Sequence, residues 1–120
     1  MAGPVVQNVS IPAGDAADLN FDVDPDDGQT LLGADIYWKV YEQEHGVPKL
    51  GVDPVIVKVL DDGIQITDPD ALKFTVAIQR EDTVGLLRNY HHEAKIIDPD
   101  GNHVTVNYGV FTVTQTENRE

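Results

Sequence analysis

The chain has 120 residues and no cysteine, and 21 acidic residues against eight basic ones give it a formal net charge of −13. This length fits one domain, residues 1–120, with a hydrophobic core of its own. The lack of cysteine excludes disulfides and thiolate metal sites. The charge disfavours nucleic acid and anionic membranes as partners, because both are negatively charged themselves.

The ends of the sequence give an expectation about its compartment. No apolar run approaches the roughly 20 residues that a membrane span requires, and the N-terminus lacks the basic-then-apolar pattern of a secretion signal. We therefore expect synthesis and folding in a cytoplasm-like compartment. Residues 1–4 and 116–120 are expected to be flexible or held by a partner.

The acidic residues have two open interpretations. Of the 21, 15 are aspartates, and most fall in turns, where the short side chain can hydrogen-bond the local backbone. Lysine is scarce, with only five in the chain. An acidic, lysine-poor surface is typical of proteins from a high-salt cytoplasm, where salt screens the self-repulsion. A halophilic source and an ordinary acidic protein both fit.

The first half of the chain predicts three strands. Apolar residues alternate with polar ones over residues 18–23, and residues 5–11 and 30–41 have similar character. In the third strand Ala34, Ile36, Trp38 and Val40 share one face. Trp38 is the only tryptophan, and its position on an apolar strand face predicts a core anchor rather than a ligand-stacking group.

After an irregular polar loop over residues 42–53, turn signals recur about every 8 to 12 residues, which is typical of an all-β sandwich. Residues 55–60 and 64–67 are short strand candidates. Residues 72–79 alternate clearly, with Phe74, Val76 and Ile78 expected to face the core.

Residues 81–87 interrupt the alternation and predict one helical turn that closes an end of the sandwich. Tyr90 follows at the start of the next strand, where immunoglobulin-like folds often place a tyrosine that packs inward. Tyr90, His92, Ala94 and Ile96 are expected to share the inward face of that strand.

The final two strands are predicted to form a hairpin around residues 98–102, in which Gly101 supplies a positive φ. The inward positions of the last strand change parity between Tyr108 and Phe111. A β-bulge at Gly109 would cause that change, because glycine inside a strand commonly marks a bulge.

Together these elements predict an all-β fold: an immunoglobulin-like antiparallel β-sandwich of about seven strands with one short helical turn near residues 81–87. Residues 1–14 can either complete the sandwich, which we favour, or reach onto a neighbouring protein as an arm.

Neither a metal nor a cofactor is expected. Asp22, Asp24 and Asp26 resemble the start of a calcium loop, but glycine falls at the seventh loop position and Gly33 stands where an EF-hand has glutamate. A solvated acidic turn is the favoured interpretation. His91 and His92 are adjacent on a strand and point to opposite faces, so they do not form one metal site readily.

The sequence also gives no sign of an enzyme. No serine or threonine stands with a histidine and an acid in a nucleophile pattern, and there is no glycine-rich phosphate loop. Tyr37 and Tyr41 share the polar face of the Trp38 strand. They form either a surface-binding platform or packing against a neighbouring strand, and the second is favoured.

Several short motifs resemble those of small immunoglobulin-like structural proteins of tailed phages and viruses and, more loosely, the N-terminal domains of phage baseplate upper proteins. These motifs are ADIYWK (34–39), LDDGIQITD (60–68), FTV (74–76), EDTVGL (81–86), YHHEA (90–94), DPDGN (98–102) and GVFTV (109–113). The region that they span, residues 34–113, is about two thirds of the chain, and the stretch before Ala34 is unmatched.

The resemblance implies a virion structural protein, an accessory subunit of head, neck, tail or baseplate. Its partners would be other virion proteins and copies of itself in a symmetric assembly, and its location the virion. No binding residue is implied. The alternative function is a carbohydrate- or host-surface-binding module, which would use Tyr37 and Tyr41.

Overall fold

The computed structural model describes residues 5–23, 33–44, 47–48, 51–68, 72–86, 88–98 and 100–114. Within these ranges the chain forms ten strands and one short helix: β1 (Val5–Val6), β2 (Val9–Pro12), β3 (Ala17–Asp22), β4 (Asp35–Glu44), β5 (Val47–Pro48), β6 (Ile56–Leu60), β7 (Gly63–Asp68), β8 (Lys73–Ile78), α1 (Arg80–Thr83), β9 (Arg88–Ile97) and β10 (His103–Thr114).

The strands form two facing layers. One layer runs β10, β9, β4 and β6, all antiparallel, with β1 and β2 added parallel to β10. The other runs β7, β8 and β3. A two-residue parallel pairing of β6 with β7 joins the layers. This order, with a tryptophan on the central strand β4, is immunoglobulin-like and confirms the predicted all-β sandwich, with ten strands rather than about seven.

The core lies between the layers and follows the predicted alternation. Ile36, Trp38 and Val40 of β4 are fully buried, as are the inward residues of β8, because successive strand residues point to opposite faces. Phe21 of β3 and Phe111 of β10 approach the Trp38 ring from different strands, with centroid distances of 6.5 and 5.6 Å. β4 extends to Glu44, past the predicted end at Tyr41, because its pairing with β9 continues through Glu42.

A hydrogen-bond chain connects β4, β9 and the N-terminal segment within one layer. The Nε1–H of Trp38 donates to Nδ1 of His92 at 3.0 Å. The other ring nitrogen of His92, Nε2, therefore carries the proton and donates to the backbone carbonyl of Gln7 at 2.6 Å. The Phe21 ring lies 5.9 Å from the His92 ring. In antibody domains the tryptophan packs against an inter-sheet disulfide whose second cysteine follows the corner tyrosine by two residues; here Tyr90 and His92 have that spacing.

The N-terminal residues 5–12 complete the sheet. Val5 and Val6 pair with β10, and after a break at Gln7 and Asn8 the chain pairs with β10 again as β2. At the break the Gln7 amide donates to the Tyr108 carbonyl at 2.8 Å, and the Asn8 side-chain oxygen accepts from the Val110 amide at 3.0 Å. Of the two alternatives for this segment, the described residues adopt the first.

The bulge predicted at Gly109 is at a different position. The register of β10 against β9 shifts between Thr105 and Asn107, so the inward face changes from Val106 to Asn107. Gly109 has another role, since a Cβ atom there would collide with the Gln7 carbonyl and would lie 2.8 Å from Oδ1 of Asn8. The glycine gives the N-terminal segment room to approach β10.

The corner before β9 is a four-residue helix, α1, near the predicted turn. Thr83 is its buried residue, and its hydroxyl accepts from the Gly14 amide at 2.9 Å. Of the apolar residues in the predicted turn, Val84 is 60% exposed and does not close over the sandwich, whereas Leu86 packs against the core. Asp82 accepts from the Gln79 amide at 2.7 Å and pairs with Lys58 of β6 at 2.7 Å.

The Tyr90 ring is buried against the core. At the β9–β10 hairpin, the Asp98 carboxylate accepts from the amides of Asp100 and Asn102. Gly101 adopts φ +90° there, a conformation that L side chains rarely adopt.

We predict that Gly109→Ala destabilises the domain by about 2 kcal/mol, because the added methyl overpacks the Gln7 contact. Native-state hydrogen exchange of the Gln7 amide, which Tyr108 protects, should accelerate. Gly101→Ala is the control, since it strains a turn whose Cβ position is open and should leave that amide unchanged. Unaltered exchange at Gln7 in the Gly109→Ala variant would contradict the contact.

We predict an acid-labile contribution to stability from His92. Burial lowers the pKa of His92 below its ordinary value of 6.5, and protonation of Nδ1 would also oppose the Trp38 donor. The contribution is complete above pH 6.5 and is lost as the pH falls toward the folded-state pKa, at a slope of up to about 1.4 kcal/mol per pH unit.

Urea denaturation between pH 7.5 and pH 5 measures this slope. It should decrease in His92→Gln and persist in His103→Gln, whose side chain is exposed in the wild type. Equal slopes in wild type and His92→Gln would show that His92 does not resist protonation.

Candidate docking surface

The residues that alternate with the core positions on β4, β6, β9, β10 and β1 all project from one outer face of the sandwich. We call it the tyrosine face and define it by these residues: Val6, Tyr37, Lys39, Tyr41, Val57, Val59, His91, Glu93, Lys95, Tyr108 and Val110. Their common orientation follows from strand alternation and from the pairing of the five strands.

The strand register places these side chains in rows across the sheet. In the middle row Lys39 lies between Val57 of β6 and Glu93 of β9. Glu93 is next to Tyr108 of β10, and Tyr108 is next to Val6 of β1. Cross-strand neighbours are close enough for their side chains to touch, so the row forms a continuous surface.

The tyrosine face carries much of the exposed apolar surface of the described chain. Val57 is 49% exposed, Val59 39% and Tyr108 37%, and Val6 and Val110 are also exposed. A grouped apolar patch on an otherwise polar protein commonly marks an interaction site. Tyrosine is enriched at protein interfaces because its ring is large and its hydroxyl tolerates water.

Charged groups in the centre of the face are arranged in contact with one another. The Lys39 ammonium lies 4.7 Å from the centroid of the Tyr37 ring. Glu93 accepts from Nε2 of His91 at 3.1 Å and pairs with the Lys95 ammonium at 3.7 Å. Among the residues that define the face, Lys39 and Lys95 are basic and Glu93 is acidic. The face thus carries a formal charge of +1, whereas the whole chain carries −13.

The opposite outer face has a different composition. It is formed by β3, β8 and β7, and its outward residues are polar or small: Asp18, Asn20, Asp22, Gln65, Thr67, Lys73, Thr75 and Ala77. A shallow groove on that face is lined in part by Asp18 and Asp61. The two faces of one sandwich therefore differ in apolar content and in charge.

Tyr37 and Tyr41, the predicted surface-binding pair, both lie on the tyrosine face and are half-buried. The Tyr37 ring has Lys39 over one side and the edge of His103 at 6.4 Å. The Tyr37 ring therefore lies in contact with neighbouring side chains rather than standing free.

The weak metal candidates are not brought together within the described residues. Asp22 is exposed and pairs with Lys73 at 3.8 Å, while Asp24 and Asp26 lie outside the described ranges. In the part of the chain that the structure describes, no group of three or more histidine, aspartate or glutamate side chains could hold a metal ion.

Sequence reasoning missed Tyr108 and the β6 valines. The bulge assigned to Gly109 gave Tyr108 an inward position, and the actual shift before Asn107 turns Tyr108 outward and Asn107 inward. Val57 and Val59 stand in a short apolar stretch whose outward residues become identifiable only when its register against β4 is known. The sequence signal that could have pointed to Tyr108 as part of the face is its aromatic side chain.

Comparison with known proteins finds matches among solved structures. No family model and no curated protein matches the chain. Among solved structures the chain is similar to the NK cell receptor Nkp44, described as a triggering partner in natural cytotoxicity, with 18% sequence identity and a TM-score of 0.44 over 92% of this chain and 100% of that one. No helix in the described ranges is long and apolar enough to cross a membrane.

We predict that Glu93 affects the titration of Tyr41. Burial raises the pKa of Tyr41 above its ordinary value of 10.0, and the Glu93 charge and Tyr37 raise it further. Glu93→Gln should therefore lower the Tyr41 pKa. Alkaline NMR titration with labelled tyrosine rings measures it, and Asp18→Asn on the opposite face is the control. An unchanged Tyr41 pKa in Glu93→Gln would contradict the arrangement.

Proposed function

We propose that this chain is a virion structural protein of a tailed phage or tailed archaeal virus. It acts as an accessory subunit of the head, neck, tail or baseplate, by docking to other virion proteins and to copies of itself. The short motifs that resemble small immunoglobulin-like phage proteins support the viral part of the proposal. The tyrosine face supports the docking part.

The observation that carries the proposal is the contrast between the two outer faces. A sandwich in water needs no valines or tyrosines on its outward strand positions, and the β3–β8–β7 face has none among its described residues. The tyrosine face has Val57, Val59, Tyr108 and Val110 exposed together. Removing such a patch from water favours association by about 25 cal/mol per Å² of apolar area.

Docking also fits the chemistry that the sandwich offers. Two of the histidines have local partners, since His91 bonds Glu93 and His92 lies between Trp38 and Gln7. A positioned general base would need to face an enclosed, accessible cleft, whereas the groove that Asp18 and Asp61 line is shallow. We accordingly propose a protein that presents a surface and carries out no reaction.

The alternative proposal, a carbohydrate- or host-surface-binding module, depends on Tyr37 and Tyr41. A stacking platform needs an open aromatic face, and Lys39 covers one side of Tyr37. A glycan array distinguishes the two functions. Binding that the double substitution Tyr37→Ala and Tyr41→Ala abolishes would support the module, and no binding to any glycan would contradict it.

We predict that Tyr108→Asp reduces incorporation of the protein into virus particles at least tenfold, because a carboxylate replaces the ring in the centre of the patch. Quantitative mass spectrometry of particles purified from complemented infections measures incorporation. Gln65→Asp adds the same charge to the opposite face and should have little effect. Equal incorporation of both variants would contradict docking through the tyrosine face, and absence of the wild type from particles would contradict the virion role.

A further inference from the structure

The two central strands of the tyrosine face carry complementary columns of side chains. β4 presents Tyr37, Lys39 and Tyr41. β9 presents Lys95, Glu93 and His91 at the paired positions of the same rows. Each residue of one column is thus a suitable contact for its row partner in the other: a lysine for a tyrosine ring, a glutamate for a lysine, and an imidazole for a tyrosine.

A two-fold axis parallel to the strands, lying in the contact plane between β4 and β9, uses this complementarity. Rotation about such an axis leaves each row at the same height along the strands. It places each β4 residue of one copy opposite the β9 residue of the same row in the other copy. Lys39 of one copy then faces Glu93 of the other, and the reverse contact forms at the same time. An axis across the strands would instead place Lys39 on Lys39 and Glu93 on Glu93, which opposes association.

The flanking strands match under the same axis. β6 of one copy lies over β10 of the other, so Val57 faces Tyr108 in the middle row. Both side chains are exposed in the single chain. The apolar margins of the face would therefore cover each other while the charged pairs meet in the centre.

The face is large enough for a weak dimer. The axis overlaps four strands about 4.8 Å apart, and the defining residues lie in three rows about 6.8 Å apart, which gives a face of about 19 by 20 Å, or about 800 Å² over both copies. Specific stable interfaces begin at about 1,200 Å², and weak encounters bury less. A weak dimer that forms at high protein concentration is the expectation from this estimate.

The distribution of charge over the chain also allows a second copy to cover the tyrosine face. Each chain carries −13 overall, so two copies repel one another at long range. The tyrosine face nevertheless carries a formal charge of only +1, and the described acidic residues other than Glu93 and Asp35 lie in turns or loops, in α1, at strand ends or on the opposite face. Salt at about 1 M shortens the Debye length to about 3 Å, which screens the distant charges.

We propose that the tyrosine face binds the tyrosine face of a second copy of this chain, across a two-fold axis that runs parallel to the strands between β4 and β9. This inference rests on the proposed docking function, since it names the partner of the same face. It adds the orientation of the two copies and the residue pair, Lys39 with Glu93, that sets it.

A charge-exchange experiment tests the proposal. Wild-type chain at about 100 µM in 1 M KCl should sediment as a dimer in analytical ultracentrifugation. Lys39→Glu and Glu93→Lys should each weaken the dimer tenfold or more, because like charges then meet across the axis. A mixture of the two variants should form a mixed dimer, since positions 39 and 93 are both acidic in the first variant and both basic in the second, so opposite charges meet at both contacts.

Native mass spectrometry with one variant labelled by ¹⁵N identifies the mixed dimer. Mixing is informative because it cannot repair a defect within one chain, whereas a double substitution in one chain could. Gln65→Glu and Gln65→Lys on the opposite face are the matched controls and should dimerise as the wild type does. Circular dichroism of each single variant verifies that it is folded.

Three results would overturn the inference: a monomeric wild type in both 0.15 M and 1 M KCl, equal dimerisation of the single variants and wild type, or no mixed dimer. These outcomes are separate from the docking function. A monomer that still enters particles through Tyr108 would remove the dimer and retain docking. A dimer whose Tyr108→Asp variant enters particles normally would retain the dimer and remove docking to the particle.

Discussion

The hydrogen-bond chain from Trp38 through His92 to Gln7 is the contact on which the rest of the structure depends. It links the central strand β4 to β9 and then to the N-terminal segment, and the Phe21 ring brings the second layer against it. A chain without cysteine cannot cross-link its sheets covalently. Packing of the Phe21 ring against Trp38 and His92 joins the layers instead. The two hydrogen bonds hold His92 in place for that contact, and both ring nitrogens of the neutral imidazole have a partner.

The same contact determines where the N-terminal residues lie. The Gln7 carbonyl turns inward to His92, and Gly109 leaves the space for it. Val6 is thereby placed beside Tyr108 at the margin of the tyrosine face. The composition of the proposed interface therefore follows from the buried hydrogen bonds beneath it, which fix the position of each outer side chain through strand pairing.

The alternation of apolar and polar residues along the strands allowed much of the fold to be predicted from the sequence. The inward residues of β4, β8 and β9 were identified because each strand has a buried face and a wetter one, which imposes a period of two. The burial of individual residues in the corner between β8 and β9 was harder to predict from the sequence. Thr83 is buried and Val84 exposed because of the local geometry of α1 and the Gly14 contact, and neither leaves a mark in hydrophobic patterning.

The tyrosine face could be predicted from the sequence only in part, for a related reason. Tyr37 and Tyr41 were identified because they alternate with core residues on one strand. Val57, Tyr108 and Val6 come from strands far apart in sequence, so they join the face only through tertiary pairing. The bulge was the decisive uncertainty, because a shift of one residue exchanges the two faces of a strand.

The extra residue of β10 at Val106 gives the strand one position at which its length can change without altering the tyrosine face. Losing that residue would leave Thr105 opposite Lys95 and Asn107 opposite Ala94, so Tyr108 would keep its outward position. Losing one residue within the stretch from Tyr108 to Phe111 would instead exchange the two faces of the strand beyond that point, altering several contact positions in one event. Length variation there is thus a direct route by which homologous chains could acquire different partners on an unchanged scaffold.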